Sequence, residues 1–175
     1  VKLSYATARN GQGLVARGSG SGAYGAGTLN IQLDGDAPLS LARGALSSRG
    51  TRVDGNANFS LVVGGRLDAP RTTGLVSVTN ASLVDPLSNL QVGKLDAVAG
   101  FEGDTISIRR LRGRVGDGGR FTGRGNIGLS AGLPVNLEIN LIGVPYTDGQ
   151  TFATTLNGNL ALGGSLVASP QLTGT

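Results

Sequence analysis

The chain holds no histidine and no cysteine, so the commonest general base, nucleophile and thiolate metal ligand are missing. What acid–base chemistry remains falls to carboxylates. Two pairs straddle a glycine, Asp34-Gly35-Asp36 and Glu102-Gly103-Asp104, and both read as turns. Paired carboxylates can cleave a glycosidic bond, one as acid and the other as base or nucleophile. A sugar cleft would also want aromatic platforms. The chain has only Tyr5, Tyr24, Phe59, Phe101, Phe121, Tyr146 and Phe152. Two strings fit G-x-G-x-x-G, Gly20–Gly25 and Gly123–Gly128. A dinucleotide site sets such glycines between a strand and a helix, whereas here more strand-like sequence follows each. Gly116-Asp117-Gly118-Gly119 has the look of a calcium coil, but one copy without the nonapeptide period reads as a turn. These patterns point away from an enzyme and imply no metal and no cofactor.

Arginine is the charged residue that clusters. Six of the thirteen lie between Arg109 and Arg124, in a chain whose formal net charge is only +4. One reading is a solvated strand face. The other is contact with anionic lipid headgroups or an acidic partner. Nucleic acid is not expected, because no run of stacking aromatics is interleaved with these arginines.

The elements that must position these residues are strands. With 39% hydrophobic and 15% charged residues the composition is wrong for disorder. The 31 glycines far exceed ordinary usage, and are expected mostly at strand breaks. No stretch has a convincing helical period, and no apolar run is long enough for a membrane helix. Apolar and polar residues alternate instead. Val1–Arg17 reads as a hairpin. Thr28–Leu33 sets Leu29, Ile31 and Leu33 on one face, and Asp34–Asp36 closes it as a turn. Val53–Val63 carries Phe59 and Leu61, and Thr73–Asn80 carries Val76 and Val78. Leu90–Phe101 is one long strand whose alternation slips at Gly93-Lys94. Thr105–Arg112 pairs Ile106 with Ile108. Arg120–Leu129 sets Phe121 against Arg120, Thr122, Arg124 and Asn126. Pro134–Ile142 sets Leu137, Ile139 and Leu141 against Glu138 and Asn140. Phe152–Val167 ends with Leu160 and Leu162. Leu39–Leu46 is compatible with a strand or a helical turn, whereas Asp85–Ser88 and Val144–Gly149 read as loops.

One stretch returns. Asn58-Phe-Ser-Leu-Val-Val-Gly-Gly-Arg-Leu-Asp-Ala-Pro-Arg-Thr-Thr-Gly74 is echoed by Asn159-Leu-Ala-Leu-Gly-Gly-Ser-Leu-Val-Ala-Ser-Pro-Gln-Leu-Thr-Gly174. Each reads as a strand, a Gly-Gly break, a short second strand over Arg66–Asp68 or its counterpart, and a proline that ends pairing. Leu29–Gly35 likewise matches Leu137–Gly143, and Gly20–Gly25 matches Gly123–Gly128 in spacing. The repeat covers approximately residues 11–75 and 117–175 of a single segment, 1–175. The chain starts at Val1 and stops just after the motif, which suggests a piece of a longer protein whose targeting signals lie elsewhere.

The fold class these patterns predict is all-β: an elongated, curled antiparallel sheet, open like a taco or half-barrel, with a hydrophobic concave groove. Its lining would be Leu29, Ile31, Leu33, Phe59, Leu61, Val76, Val78, Ile106, Ile108, Phe121, Leu137, Ile139, Leu141, Leu160 and Leu162. Such a face could be an ordinary core. It could also take an apolar ligand. A methylene moved out of water is worth ~0.8 kcal/mol, so shielding a chain of about 16 carbons offsets on the order of 10 kcal/mol. A trough of Leu, Ile and Val does this without polar contacts.

The order Gly118–Gly128, Leu137–Gly143, Asn157-Gly-Asn-Leu-Ala-Leu-Gly-Gly-Ser-Leu166 and Ser169-Pro-Gln-Leu-Thr-Gly174 resembles the C-terminal region of the TamB family, within the AsmA-like superfamily. The likeness is best over Phe101–Thr175 and fainter in the earlier copy. The resemblance implies a taco-shaped sheet in a periplasmic segment of a Gram-negative inner-membrane-anchored protein. It implies work with the outer-membrane barrel TamA in outer-membrane biogenesis and autotransporter assembly, and conduction of phospholipid between the membranes by its acyl chains. No catalytic residues carry over. The alternative is a chaperone-like scaffold whose free edge strand pairs with unfolded outer-membrane proteins.

Overall fold

The computed structural model describes residues 2–9, 13–23, 27–42, 50–86, 89–147, 151 and 153–175. Eleven strands form one antiparallel sheet in which each pairs with its neighbours in sequence. They are β1 (Lys2–Arg9), β2 (Val15–Ala23), β3 (Thr28–Pro38), β4 (Arg52–Arg66), β5 (Ala69–Asp85), β6 (Leu90–Glu102), β7 (Thr105–Val115), β8 (Gly119–Gly128), β9 (Val135–Thr147), β10 (Ala153–Ser165) and β11 (Ser169–Gly174). Among the described residues β1 and β11 do not meet, so the sheet stays open. A single 3-10 turn over Leu39–Ala42 packs on β4, which settles the ambiguous start of Leu39–Leu46. Expectations for residues 24–26, 43–49, 87–88, 148–150 and Phe152 lie outside the described residues.

The strands are longer than the alternation suggests, because three breaks are not breaks. Asp34-Gly35-Asp36 is interior to β3, with Asp34 opposite Ser60 and Asp36 opposite Asn58. Neighbouring strands satisfy the backbone there, so local turn preference loses to the ladder. The Gly-Gly pairs do not interrupt their strands either. β4 runs through Gly64-Gly65 to Arg66, and the turn is Leu67-Asp68. Pro70 faces Gly65, and Pro170 faces Gly164 in the second copy. Each proline sits next to the start of its strand, where the missing N–H costs little. In each copy the second glycine takes the positive φ, 97° at Gly65 and 85° at Gly164. Val144-Pro145-Tyr146-Thr147 is likewise strand, the end of β9.

Both copies of the returning stretch therefore build the same element, a hairpin with a facing Gly–Pro pair: β4–β5 and β10–β11. The loop before the preceding strand ties to the hairpin turn in each case. Leu67 N–H donates to the Gly27 carbonyl (2.7 Å), and Leu166 N–H to that of Leu133 (3.2 Å).

Twenty of the 31 glycines lie inside strands, against the expectation that they mark breaks. Two show why. A Cβ on Gly35 would stand 2.7 Å from Cζ of Phe59, and one on Gly113 2.7 Å from Cε1 of Phe121. Each ring lies over the bare backbone of the facing residue in the next strand.

Besides a slip between Leu3 and Ala6 in β1, four register slips preserve the separation of faces. Val78 pairs with Ala97, but the next partners are Ala81 and Leu95. The odd step would flip the alternation, and Asn80 (φ 52°) absorbs it. Lys94 (φ 49°) does the same in β6, at the expected position. The others fall at Arg109 in β7 and at Ile142-Gly143 in β9.

Among the described residues no second layer covers the sheet. Apart from the 3-10 turn on β4, every substantial contact joins ladder neighbours. The chain exposes 11312 Å², whereas a compact monomer of this mass exposes roughly 7,900 Å². Val92, Val115 and Val144 form a buried cluster against Leu83, Leu90, Leu95, Phe121 and Leu141, and Val53, Ala57, Ala81 and Val135 are buried elsewhere along the sheet.

Candidate functional site

Cross-strand partners in an antiparallel ladder project to the same face. Phe59, Val76, Ala99, Ile108, Gly125, Leu137 and Leu162 are partnered in succession from β4 to β10. A second row runs Leu33, Leu61, Gly74, Phe101, Ile106, Ile127 and Val135. A third runs Val78, Ala97, Leu111, Gly123, Ile139 and Leu160. Phe121 pairs with Leu141. Leu29 and Ile31 alternate onto the face of Leu33.

All fifteen residues named from the sequence thus share one face. Every one is partly exposed, neither buried nor fully open. In a two-layer domain these positions would be sealed by the opposite layer. Here the covering comes from neighbours on the same face, and the rest of each side chain meets solvent. Within the rows large residues stand beside small ones, as at Leu61–Gly74–Phe101 and Leu111–Gly123–Ile139. The result is a broad aliphatic surface with shallow relief and no buried polar side chain among the described residues.

The opposite face carries the chemistry-bearing groups. The slip at Arg109 places Arg109 and Arg110 together on it, and Arg112 and Arg114 follow by alternation. Across the ladder in β8 stand Arg120 and Arg124, with Arg114 directly opposite Arg120. All six clustered arginines therefore belong to one surface. Arg112 binds Asp96 (2.8 Å), Arg109 binds Glu102 (3.1 Å) and Arg124 binds Glu138 (3.0 Å). Arg110, Arg114 and Arg120 make no ion pair among the described residues, although Arg110 lies within the field of Asp96.

A cavity of about 820 Å³ opens on this polar face across β7–β11. Arg109, Arg110, Arg112 and Arg124 line one part together with the Glu138 carboxylate, Asn140, Asn159 and Thr173 line another, and residues such as Leu111, Ile139 and Leu160 complete the wall. The Asn140 side-chain amide donates to Oδ1 of Asn159 (2.9 Å). This concavity was not foreseen. Its only signal was the polar half of the alternation, Arg120-x-Thr122-x-Arg124 and Glu138-x-Asn140, whose convergence depends on strand pairing.

The acidic pairs are engaged in hydrogen bonds and an ion pair. Asp34 accepts hydrogen bonds from Ser60 Oγ (2.6 Å) and Gln32 Nε2 (3.0 Å), and Asp36 accepts one from the Asn58 amide. Glu102 is engaged by Arg109, and Asp104 occupies the β6–β7 turn. No group of three acidic or other metal-ligating side chains gathers among the described residues. The Gly123–Gly128 string lies wholly within β8 and precedes another strand.

Two carboxylates titrate below their ordinary value: Asp68, held by the Arg66 guanidinium in the exposed β4–β5 turn, and Asp96 on the polar face. The Asn80 backbone N–H (2.8 Å) holds the pKa of Asp96 below the ordinary carboxylate value, followed by the Arg112 guanidinium (Nε, 2.9 Å). The unfolded chain takes up this proton at higher pH than the folded chain does. The contribution is therefore complete above the ordinary carboxylate pKa and is lost as pH falls through the lower folded value. Asp96→Asn should lower stability at neutral pH and flatten the acid limb of a plot of urea midpoint against pH. An unchanged limb would show that the bulge at Asn80 does not depend on this carboxylate.

No helix of the described residues is long and apolar enough to cross a membrane. Compared with protein-family models, curated proteins and solved structures, the chain matches none.

Proposed function

We propose that this chain is a hydrophobic-groove module of a TamB-like protein, a periplasmic segment of a Gram-negative inner-membrane-anchored protein. Its aliphatic face shields phospholipid acyl chains in passage between the inner and outer membranes. Through that supply, and together with the barrel TamA, it supports outer-membrane biogenesis and autotransporter assembly.

The observation that carries the reading is the state of the fifteen aliphatic and aromatic residues: all on one face, all partly exposed, with no layer above them among the described residues. Exposed apolar surface of this extent marks a binding surface in a soluble protein. A chain laid along successive strands gains ~0.8 kcal/mol for each methylene it hides. The alternating large and small residues leave relief without a specific shape, which suits lipids of differing chain composition.

The scaffold reading would place unfolded outer-membrane proteins along a sheet edge. β11 is a weak template for this. It has six residues, and Pro170 faces away from β10 in the pairing pattern set by the mutual Asn159–Thr175 bonds, so it offers the edge no N–H. The lipid reading is tested by mass spectrometry of lipids extracted from the chain after purification from cell membranes. Phospholipid in stoichiometric amount is expected. A lipid-free preparation that also fails to take up a fluorescent phospholipid from vesicles would overturn it.

A further inference from the structure

The polar face, which the lipid reading leaves unused, carries a second site. We infer that the cavity across β7–β11 binds a phosphorylated polyol or saccharide, whether a free sugar phosphate or the headgroup of a lipid. The inference stands on this face alone and does not require the acyl-chain reading.

Three observations converge. The cavity, about 820 Å³, is large enough for a molecule of this size, since small-molecule sites run to roughly 300–1,000 Å³. Its polar lining divides by chemistry, with one acid, Glu138, set among the arginines and paired to Arg124. Arg109, Arg110, Arg112 and Arg124 gather at the β7–β8 side, and planar guanidinium forks match phosphate oxygens bidentately. Asn140 and Asn159, with the Thr173 hydroxyl beyond them, supply donors and acceptors of the kind that read hydroxyl groups. A ligand with an anionic end and a hydroxylated body fits that division. An inorganic ion would use only half of it.

The charge is also out of balance. Arg110 lines the cavity with no direct ion pair among the described residues, the acid in its field, Asp96, being already bound by Arg112, and Arg114 stands opposite Arg120 just beyond it. Like charges directly opposed in a ladder repel, so a cross-strand Arg pair and a guanidinium that shares its nearby acid with Arg112 are relieved by a bound anion. The slip at Arg109 sharpens this, because it turns two successive arginines to the same face. The ion pairs of Arg109 with Glu102 and Arg124 with Glu138 are solvent-exposed. Pairs of that kind are weak, so an incoming phosphate can exchange for the carboxylate. The cavity holds no aromatic ring, which disfavours a stacked nucleobase.

The test is calorimetric titration of the whole chain with glucose 6-phosphate, inorganic phosphate and glucose, beside sedimentation with phosphatidylcholine vesicles with and without phosphatidylglycerol. Glucose 6-phosphate should bind at low ionic strength more tightly than phosphate, with glucose alone undetectable, or phosphatidylglycerol vesicles alone should be retained. The first result makes the source a soluble sugar phosphate and the second a lipid headgroup. The Arg110→Gln/Arg124→Gln variant should weaken binding about tenfold or more, since bonds to charged groups carry that much. Asn159→Ala should weaken glucose 6-phosphate, or vesicle binding where that is the source, and leave inorganic phosphate unchanged. Arg66→Gln, in the remote β4–β5 hairpin, should change nothing, and circular dichroism confirms that each variant folds. Binding of none of the probes, equal affinity for phosphate and glucose 6-phosphate, or equal loss with Arg66→Gln would each overturn the inference.

Discussion

Ile139→Arg is expected to leave a folded, strand-rich protein that no longer retains phospholipid. Ile139 sits in the middle of the apolar face, between Gly123 in β8 and Leu160 in β10. It is partly exposed, and Gly123 presents no side chain beside it. An arginine stem can lie over that glycine and carry its charge to water. The lost aliphatic contact costs about 1–2 kcal/mol, a shift of ~2–8 °C in melting temperature for a domain of this size. For the ligand the effect is much larger. An acyl chain crossing position 139 must displace water from an unpaired guanidinium, which costs several kcal/mol and cancels the gain from several methylenes. The check is a thermal melt beside photo-crosslinking to lipid from a photoreactive residue at position 141. Outright unfolding would mean that the face is a closed core. A folded variant that still crosslinks would put the lipid path elsewhere.

Gly125→Ala should cost far more stability than Gly163→Ala, although both glycines are interior to strands. Gly125 joins Ile108 to Leu137 in one of the two seven-residue apolar rows. Its φ is +149°, and a Cβ there would fall on the Asn136 carbonyl oxygen and 2.7 Å from Leu137 Cα. Both are backbone atoms of β9, which cannot retreat without parting the ladder. A loss of about 3 kcal/mol or more is expected. At Gly163 a Cβ meets nothing within 4 Å and φ is not positive. Alanine there should be neutral, or should stabilise by ~0.4–1 kcal/mol by restricting the unfolded chain. Urea midpoints of the two variants decide the matter, and equal midpoints would remove the steric account of strand glycines in this sheet.

Much of this architecture is legible in the chain. Alternation is a local property, so the strands and the membership of the apolar face could be read residue by residue. Leu29, Ile31 and Leu33 in β3 and Leu137, Ile139 and Leu141 in β9 share a face because period two requires it within each strand. The Gly93-Lys94 slip was visible because alternation fails there. The absence of histidine and cysteine set the limits on chemistry.

What the sequence could not show is what depends on partners. Asp34-Gly35-Asp36 has the composition of a turn, yet β2 and β4 flank it and hold it extended. The strand glycines look like breaks because the Phe59 and Phe121 rings that occupy their missing side-chain space come from the next strand. The six arginines read as a charge run, but only the register shows that they cover one surface and that three make no ion pair among the described residues. The cavity beside them is a property of five strands together. Asn140 and Asn159 are nineteen positions apart, and nothing local to either announces the other. Spacing within a strand is written in the chain. Register between strands, which decides what each side chain faces, exists only once the sheet has closed its hydrogen bonds.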